Sequence, residues 1–223
     1  NDATWAALIQ EAVAKSEEVE SLVYLQVTRG VASERSHVYP DVAPTVLITV
    51  TPAVLRTTTP KPLNVVTKTD FRWHRADIKV TSLIANGLLK NEALAEGYDD
   101  AVLVRDGIVT EGTASNVFIV SEGVIKTPRK SSHLLHGITR DLVISFAEEA
   151  GIPLSECELV EADVLEADEV WLTSTGLEVS PVGSVNGKTV GNGQAGVTWL
   201  AMDQIFQNKK AEFRIAGQPH KGA

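Results

Sequence analysis

The sequence predicts an α+β protein built in two parts. Three observations carry that reading. Runs rich in β-branched residues and runs of helical period are interleaved without the strict alternation of a parallel α/β sheet. Arg56-Thr-Thr-Thr-Pro-Lys-Pro62 places two prolines in three residues, which favours extended chain and marks a linker. Hydrophobic residues make up 43% of the 223 residues and charged residues 22%, enough to bury a sizeable core. The expected division is a small first part over 1–56, a linker over 57–62 and a larger second part over 63–223.

Thr4 is placed to cap a first helix running to Lys15, with Trp5, Leu8, Ile9 and Val13 on one face. Leu22 to Thr28 and Thr45 to Thr51 read as strands joined by a polar loop, Arg29 to Pro44. Leu63 to Thr69 is a further strand, and the period turns helical from Thr81 to Ala95. Ala101 to Val104, Val109 to Thr110 and Asn116 to Ser121 read as short strands, with turns at Asp106-Gly107 and Glu122-Gly123. Arg140 to Ala150 is amphipathic and is stopped by Gly151 and Pro153. Val170 to Thr173 and Val179 to Val185 are strands, Gly196 to Phe206 is a last helix, and Gly217 to Ala223 reads as a loose tail.

Charge and cysteine content narrow the function. Twenty Lys and Arg against 29 Asp and Glu give a net charge of -9, which argues against nucleic acid as the main partner. A small anion needs only a few local cations and stays compatible. The single cysteine, Cys157, leaves no internal disulfide framework and no cysteine-rich zinc site, so a reducing cytoplasm is the plain reading. No apolar run approaches the ~18 residues of a membrane span. No signal peptide is expected at the start of the chain, although it begins at Asn1 without Met.

Several residues could carry chemistry, and each has an ordinary alternative. Lys79, between Ile78 and Val80, follows the charged run Arg72 to Asp77. An apolar setting would favour its neutral amine, able to form a Schiff base; a surface lysine is the alternative. Glu111 ends a strand beside Gly112, where a carboxylate can meet a protonated ring nitrogen or sit in an exposed turn. Gly137-Ile138-Thr139 precedes a helix and can cradle a phosphate, or Thr139 can simply be an N-cap. Thr173-Ser174-Thr175-Gly176 can complete the cradle or form an ordinary loop. Arg35 and His37 fall on one side of an extended loop, two donors suited to a carboxylate or to solvent. His133 and His136 lack metal-ligand spacing, so no metal is assigned.

In their order and spacing, Asp77-Ile78-Lys79, Thr110-Glu111-Gly112 through Asn116, Gly137-Ile138-Thr139-Arg140-Asp141 and Thr173-Ser174-Thr175 resemble the fold type IV pyridoxal-phosphate aminotransferases. The resemblance runs from about Leu22 to Lys209. Gln26-Val-Thr-Arg-Gly30 followed by Arg35-x-His37 looks like the members acting on D-amino acids. It implies two α/β domains with pyridoxal 5′-phosphate at their interface and an incomplete small domain, the family pattern beginning some sixty residues earlier. Lys79 would be the Schiff-base lysine and Glu111 would face the pyridine nitrogen. Leu135 would pack on the ring. Gly137, Ile138, Thr139, Ser174 and Thr175 would hold the phosphate, and Arg35 and His37 the substrate carboxylate. Ala114 and Gly176 stand where the D-amino acid enzymes often carry hydroxyls. The implied reaction moves the amino group of a D-amino acid such as D-alanine to a 2-oxo acid such as 2-oxoglutarate, in a homodimer. A branched-chain L-amino acid aminotransferase, an aminodeoxychorismate lyase and an inactive truncated chain are the alternatives.

Overall fold

Central strands buried on both faces organise the larger part of the protein, and their side chains alternate between the cores on the two sides of the sheet. The computed structural model describes residues 1–18, 20–54, 56 and 58–216. The chain divides into two units, residues 1–59 and 60–223. Thr57 of the expected linker and the expected tail, Gly217 to Ala223, lie outside the described residues.

In the first unit, α1 (Asp2–Ala14) packs on an antiparallel pair, β1 (Ser21–Thr28) and β2 (Thr45–Pro52), registered from Ser21 opposite Pro52 to Thr28 opposite Thr45. Thr4 is not the cap. Asn1 is, its Oδ1 accepting from the Thr4 amide at 3.0 Å and from the Thr4 hydroxyl at 3.1 Å. The face expected to be apolar is only partly covered: no α1 residue is buried, and Leu8 and Val13 are exposed.

The second unit holds β3 (Leu63–Thr69), α2 (Ile84–Ala95), β4 (Asp100–Arg105), β5 (Ile108–Gly112), β6 (Asn116–Ser121) and β7 (Val124–Pro128). Then come α3 (Ile138–Glu149), β8 (Leu154–Cys157), α4 (Glu161–Glu166), β9 (Glu169–Ser174), β10 (Glu178–Val185), β11 (Lys188–Thr189) and α5 (Val197–Ala216). The strands form one sheet in the order β5-β4-β3-β10-β9-β6-β7-β8, with β11 on β10. The sheet curls until its edges approach each other: Ile108 of β5 bridges Val160, and the Val109 amide donates to the Leu159 carbonyl at 2.8 Å.

Side-chain alternation divides the core. Val102 and Val104 of β4, Val117 and Ile119 of β6, and Val170 and Leu172 of β9 meet inside the curl. Phe118, Val120 and Trp171 point the other way, into the helices, against Val143 and Phe146 of α3 and Trp199 and Met202 of α5. Ala101 and Leu103 pack under Leu89 and Ala93 of α2. Both expected turns are hairpins with positive φ at each central residue, 51° and 82° at Asp106-Gly107 and 53° and 74° at Glu122-Gly123. A third, Asn186-Gly187, has the same form.

Element boundaries differ from expectation for local reasons. α2 begins at Ile84 rather than Thr81, and α3 at Ile138 rather than Arg140, so Thr139 lies inside the helix and Gly137 is the N-cap. α5 starts one residue later than expected and runs ten residues past Phe206. β7, β8, β11 and α4 are short, and their sequences carry little periodic signal. Glu169 closes the start of α5. Its carboxylate accepts from the Thr198 and Trp199 amides at 2.9 and 2.8 Å and from the Trp171 indole at 3.0 Å. A Cβ on Gly196 would meet Glu169 Cδ at 2.1 Å, so a larger residue there would displace the Glu169 carboxylate.

Glu169→Ala removes three acceptor contacts at once and should lower the unfolding free energy by roughly 2–4 kcal/mol, read from urea midpoints. Unchanged midpoints would remove Glu169 from the account of α5.

Candidate active site

One cavity of about 940 Å³ opens on the second unit. Its wall is drawn from five places: Arg72 and Trp73, the stretch from Ile78 to Asn86, the β5–β6 connection with Glu111 and Asn116, the start of α3, and Thr173 to Gly176 at the β9–β10 turn. Lys79, Glu111, Leu135, Gly137, Ile138, Thr139, Ser174 and Thr175 all line it. Arg35 and His37 do not: they are exposed in the loop between β1 and β2, in the first unit. That loop is braced by the Arg29 guanidinium, 3.3 Å from the centre of the Tyr39 ring.

Glu111 is no exposed turn acid. It is 5% exposed, at the end of β5. One carboxylate oxygen pairs with the Arg72 guanidinium; the other accepts from the Leu135 amide at 2.9 Å and from the Asn116 side-chain amide at 3.3 Å. Burial pushes the Glu111 carboxyl up. The charge and bond of Arg72 and the Leu135 amide pull it back, leaving it above the ordinary glutamate value.

Arg72 is itself fixed. Its Nε and Nη2 each donate to Asp70 at 2.9 Å, and Nη2 reaches the His133 carbonyl at 3.2 Å. Asp70 also accepts from Arg105 at 3.0 Å and from the Thr110 hydroxyl at 2.8 Å. Burial acts to raise the Asp70 carboxyl, but the bonds and charge of Arg72, with the Thr110 hydroxyl, outweigh it and hold Asp70 well below the usual carboxylate range. The expectation for this segment did not extend to Arg72, Asp70 or Asn116. The signal available was the charged run after an apolar strand, where a buried arginine needs acidic partners.

The start of α3 lies on the cavity wall. Gly137 caps it with no side-chain bond, which leaves its first-turn amides without a side-chain acceptor, and Ile138 and Thr139 line the cavity. Gly137 is fixed by its neighbour, since a Cβ there would meet Asn116 Oδ1 at 2.2 Å. The same Asn116 donates from Nδ2 to the Leu135 carbonyl at 2.8 Å and so ties the incoming loop to β6. Two lining hydroxyls, Ser115 Oγ and Thr173 Oγ1, are buried without a hydrogen-bond partner. A primary amine, a buried carboxylate, hydroxyl-bearing residues and a helix start capped by glycine line one cavity, a set that fits a phosphorylated, protonatable aromatic ring.

Lys79 departs from expectation in one respect. The apolar enclosure by Ile78 and Val80 is absent: Lys79 is exposed to the cavity, and Ile78 is 42% exposed. It lies in non-helical chain five residues before α2, so its flanking side chains splay apart and do not cover it. Among the described residues no group of three or more His, Cys, Asp and Glu could hold a metal ion.

The Asp70 shift has a testable sign. A carboxyl held low in the fold stabilises it above the ordinary value of 3.8, and that stability is lost as pH falls. Asp70→Asn should therefore lower stability at pH 7 and flatten its decline between about pH 5 and about pH 2, measured by urea unfolding at a series of pH values. An equally steep decline in the variant would contradict the assignment.

The amino-transferase class IV family model matches residues 1–185. A D-alanine aminotransferase from Listeria monocytogenes serotype 4b (strain F2365) is 39% identical over 204 residues, covering 90% of this chain and 71% of the relative. The branched-chain amino acid aminotransferase of Escherichia coli superposes with a TM-score of 0.78 at 25% identity, over 93% of this chain and 71% of that one. The PLP form of the branched-chain enzyme from Thermobaculum terrenum gives 0.73 at 29% identity, over 85% of this chain and 62% of that one. With a family match over most of its length and a curled sheet shared with solved members, the chain belongs to the class IV aminotransferases.

Proposed function

We propose that the protein is a pyridoxal-phosphate-dependent D-amino acid aminotransferase, transferring the amino group of a D-amino acid such as D-alanine to a 2-oxo acid such as 2-oxoglutarate. The observation that carries this reading is the convergence of Lys79, Glu111 and the start of α3 on one cavity. The identity to D-alanine aminotransferases supports the choice of substrate hand. The family's solved PLP form supports the cofactor.

Pyridoxal phosphate, when bound, supplies an electron sink for a carbanion at the substrate α-carbon. The chain's residues do the rest. Lys79 Nζ would anchor the cofactor and, as a free amine, is the base that would remove the substrate α-proton and deliver it to the cofactor side. Its exposure to the cavity gives it the reach that both tasks need. Glu111 would face the ring nitrogen and, as an anion paired with Arg72, would keep that nitrogen protonated. The backbone amides of Ile138 and Thr139, backed by Gly137, hold the phosphate with the Ser174 and Thr175 side chains, and Leu135 packs on the ring. Arg35 and His37, exposed donors in the β1–β2 loop, are assigned to the substrate α-carboxylate from their sequence pattern and charge. The two half-reactions share one site, so the kinetics are ping-pong. A homodimer in the cytoplasm completes the proposal.

A branched-chain L-amino acid aminotransferase is the second reading, favoured by the solved relatives of that activity. Substrate profiles separate the two.

Lys79→Ala should abolish transamination and the visible absorption band formed with pyridoxal phosphate, with the circular dichroism spectrum unchanged. Borohydride reduction and peptide mapping of the wild type should place the label on Lys79; a label on another lysine would refute the site.

Arg35→Ala and His37→Ala should each lower kcat/KM for D-alanine about ten- to a hundredfold, since each removes a charge-assisted bond of roughly 1.5–3 kcal/mol. Assays with D- and L-alanine and 2-oxoglutarate check this. Preference for the L form, or full activity on D-alanine in both variants, would favour the branched-chain reading.

A further inference from the structure

Helix α2 starts five residues after Lys79, and one of its faces is locked to the turn that follows Glu111. Asn86 Nδ2 donates to the Thr113 carbonyl at 2.8 Å. The Thr113 hydroxyl donates to Asp100 Oδ1 at 2.5 Å. Lys90 Nζ closes the ring, 3.0 Å from Asp100 Oδ2 and 2.5 Å from the Asp99 carbonyl. Asn86 and Lys90 are four residues apart and share a helix face. Asp100 and Thr113 are buried, 5% and 2% exposed, so the bond between them is shielded from water. The turn itself is tight: the Gly112 amide donates to the Ser115 carbonyl at 2.6 Å. Asn86 and Thr113 both reach the cavity wall, whereas Asp100 and Lys90 stand behind it.

We infer that Asn86, Thr113, Asp100 and Lys90 are positioning residues that set the separation between Lys79 and Glu111. The inference rests on the functional reading above. The two groups act at opposite ends of one rigid ring, and they sit on separate pieces of chain. Lys79 is carried by the lead-in to α2, and Glu111 by the end of β5. Packing of Leu89 and Ala93 on Ala101 and Leu103 holds α2 against β4, but apolar contact alone allows the helix to slide. The polar ring fixes the register along that contact. Thr113 is the shared member, bonded to α2 through its carbonyl and to β4 through its hydroxyl. A small slip here changes the approach of Lys79 Nζ without touching the phosphate cradle, which belongs to α3 and the β9–β10 turn.

The test uses Asn86→Ala, Thr113→Val and Thr113→Ser. Three quantities are read: the rate at which Lys79 captures pyridoxal phosphate, by timed borohydride quench and mapping; the affinity for pyridoxamine phosphate, which has no aldehyde to link; and kcat with D-alanine. Asn86→Ala and Thr113→Val should slow capture and kcat together by about tenfold, in the range that misplacement of a reacting group produces. Pyridoxamine phosphate affinity should stay within about twofold of wild type, and Thr113→Ser should restore capture. Asn86→Ala decides the matter if Thr113→Val does not fold, because the half-buried amide can be removed without opening the core. Capture at the wild-type rate in Asn86→Ala, or loss of pyridoxamine phosphate affinity in step with kcat, would overturn the inference. If the wild-type label maps to a lysine other than Lys79, the functional reading itself fails; a label on Lys79 at unchanged rates in the variants defeats only the lock.

Discussion

The ion pair between Arg72 and Glu111 is the constraint on which the site depends. A carboxylate as buried as Glu111 is costly unless charge and hydrogen bonds compensate it. Arg72 supplies the charge, and Leu135 and Asn116 supply bonds to the second oxygen. Arg72 would be equally costly alone, and Asp70 holds it with two parallel bonds. Asp70 in turn is shared with Arg105 and Thr110. The result is a chain of alternating charges running from β3's end to the cavity. Each member is oriented by the next, so Glu111 has little freedom to turn. The His133 carbonyl and the Leu135 amide join the same chain, which ties the loop before α3 to the floor of the site.

The sheet explains why these groups converge. β3 and β4 run parallel, so β3's end delivers Asp70 and Arg72 beside the end of β4. β5 returns antiparallel and brings Glu111 to the cavity, and β6 leaves it at Asn116. β9 lies against β6, with Thr173 opposite Asn116. The hydroxyl of Thr173 therefore sits next to the residue that shapes Gly137 and the start of α3.

Much of the second unit was legible in the sequence because its strands are continuous apolar runs bounded by Asp-Gly and Glu-Gly turns. Leu63–Thr69 and Asn116–Ser121 carry the expected ends. The weaker elements escaped for a physical reason. β8 is Leu-Ser-Glu-Cys, held to β7 through its backbone, so its side chains announce nothing. α4 is six residues long, too short for a helical period. The helix starts were misplaced where the fold does not use the side-chain signal: Thr139 is a good capping residue in isolation, yet it lies inside α3 and Gly137, packed against Asn116 Oδ1, takes the cap. The cavity-lining residues of the second unit were legible because their chemistry is local to short motifs. The Asp70–Arg72–Glu111 chain was not, since it joins residues up to 41 positions apart and depends on β3 lying beside β4. The apolar enclosure of Lys79 failed for the opposite reason. Sequence neighbours such as Ile78 do not enclose a side chain in extended, non-helical chain.

The central claim is that Glu111, fixed by Arg72, faces the ring nitrogen of the cofactor. The direct measurement is the 15N chemical shift of ring-labelled pyridoxal phosphate bound to the wild type and to Glu111→Gln. The account predicts a protonated ring nitrogen in the wild type and an unprotonated one in the variant at the same pH, with the label still attached through Lys79. An unprotonated nitrogen in the wild type, or identical shifts in both proteins, would contradict it.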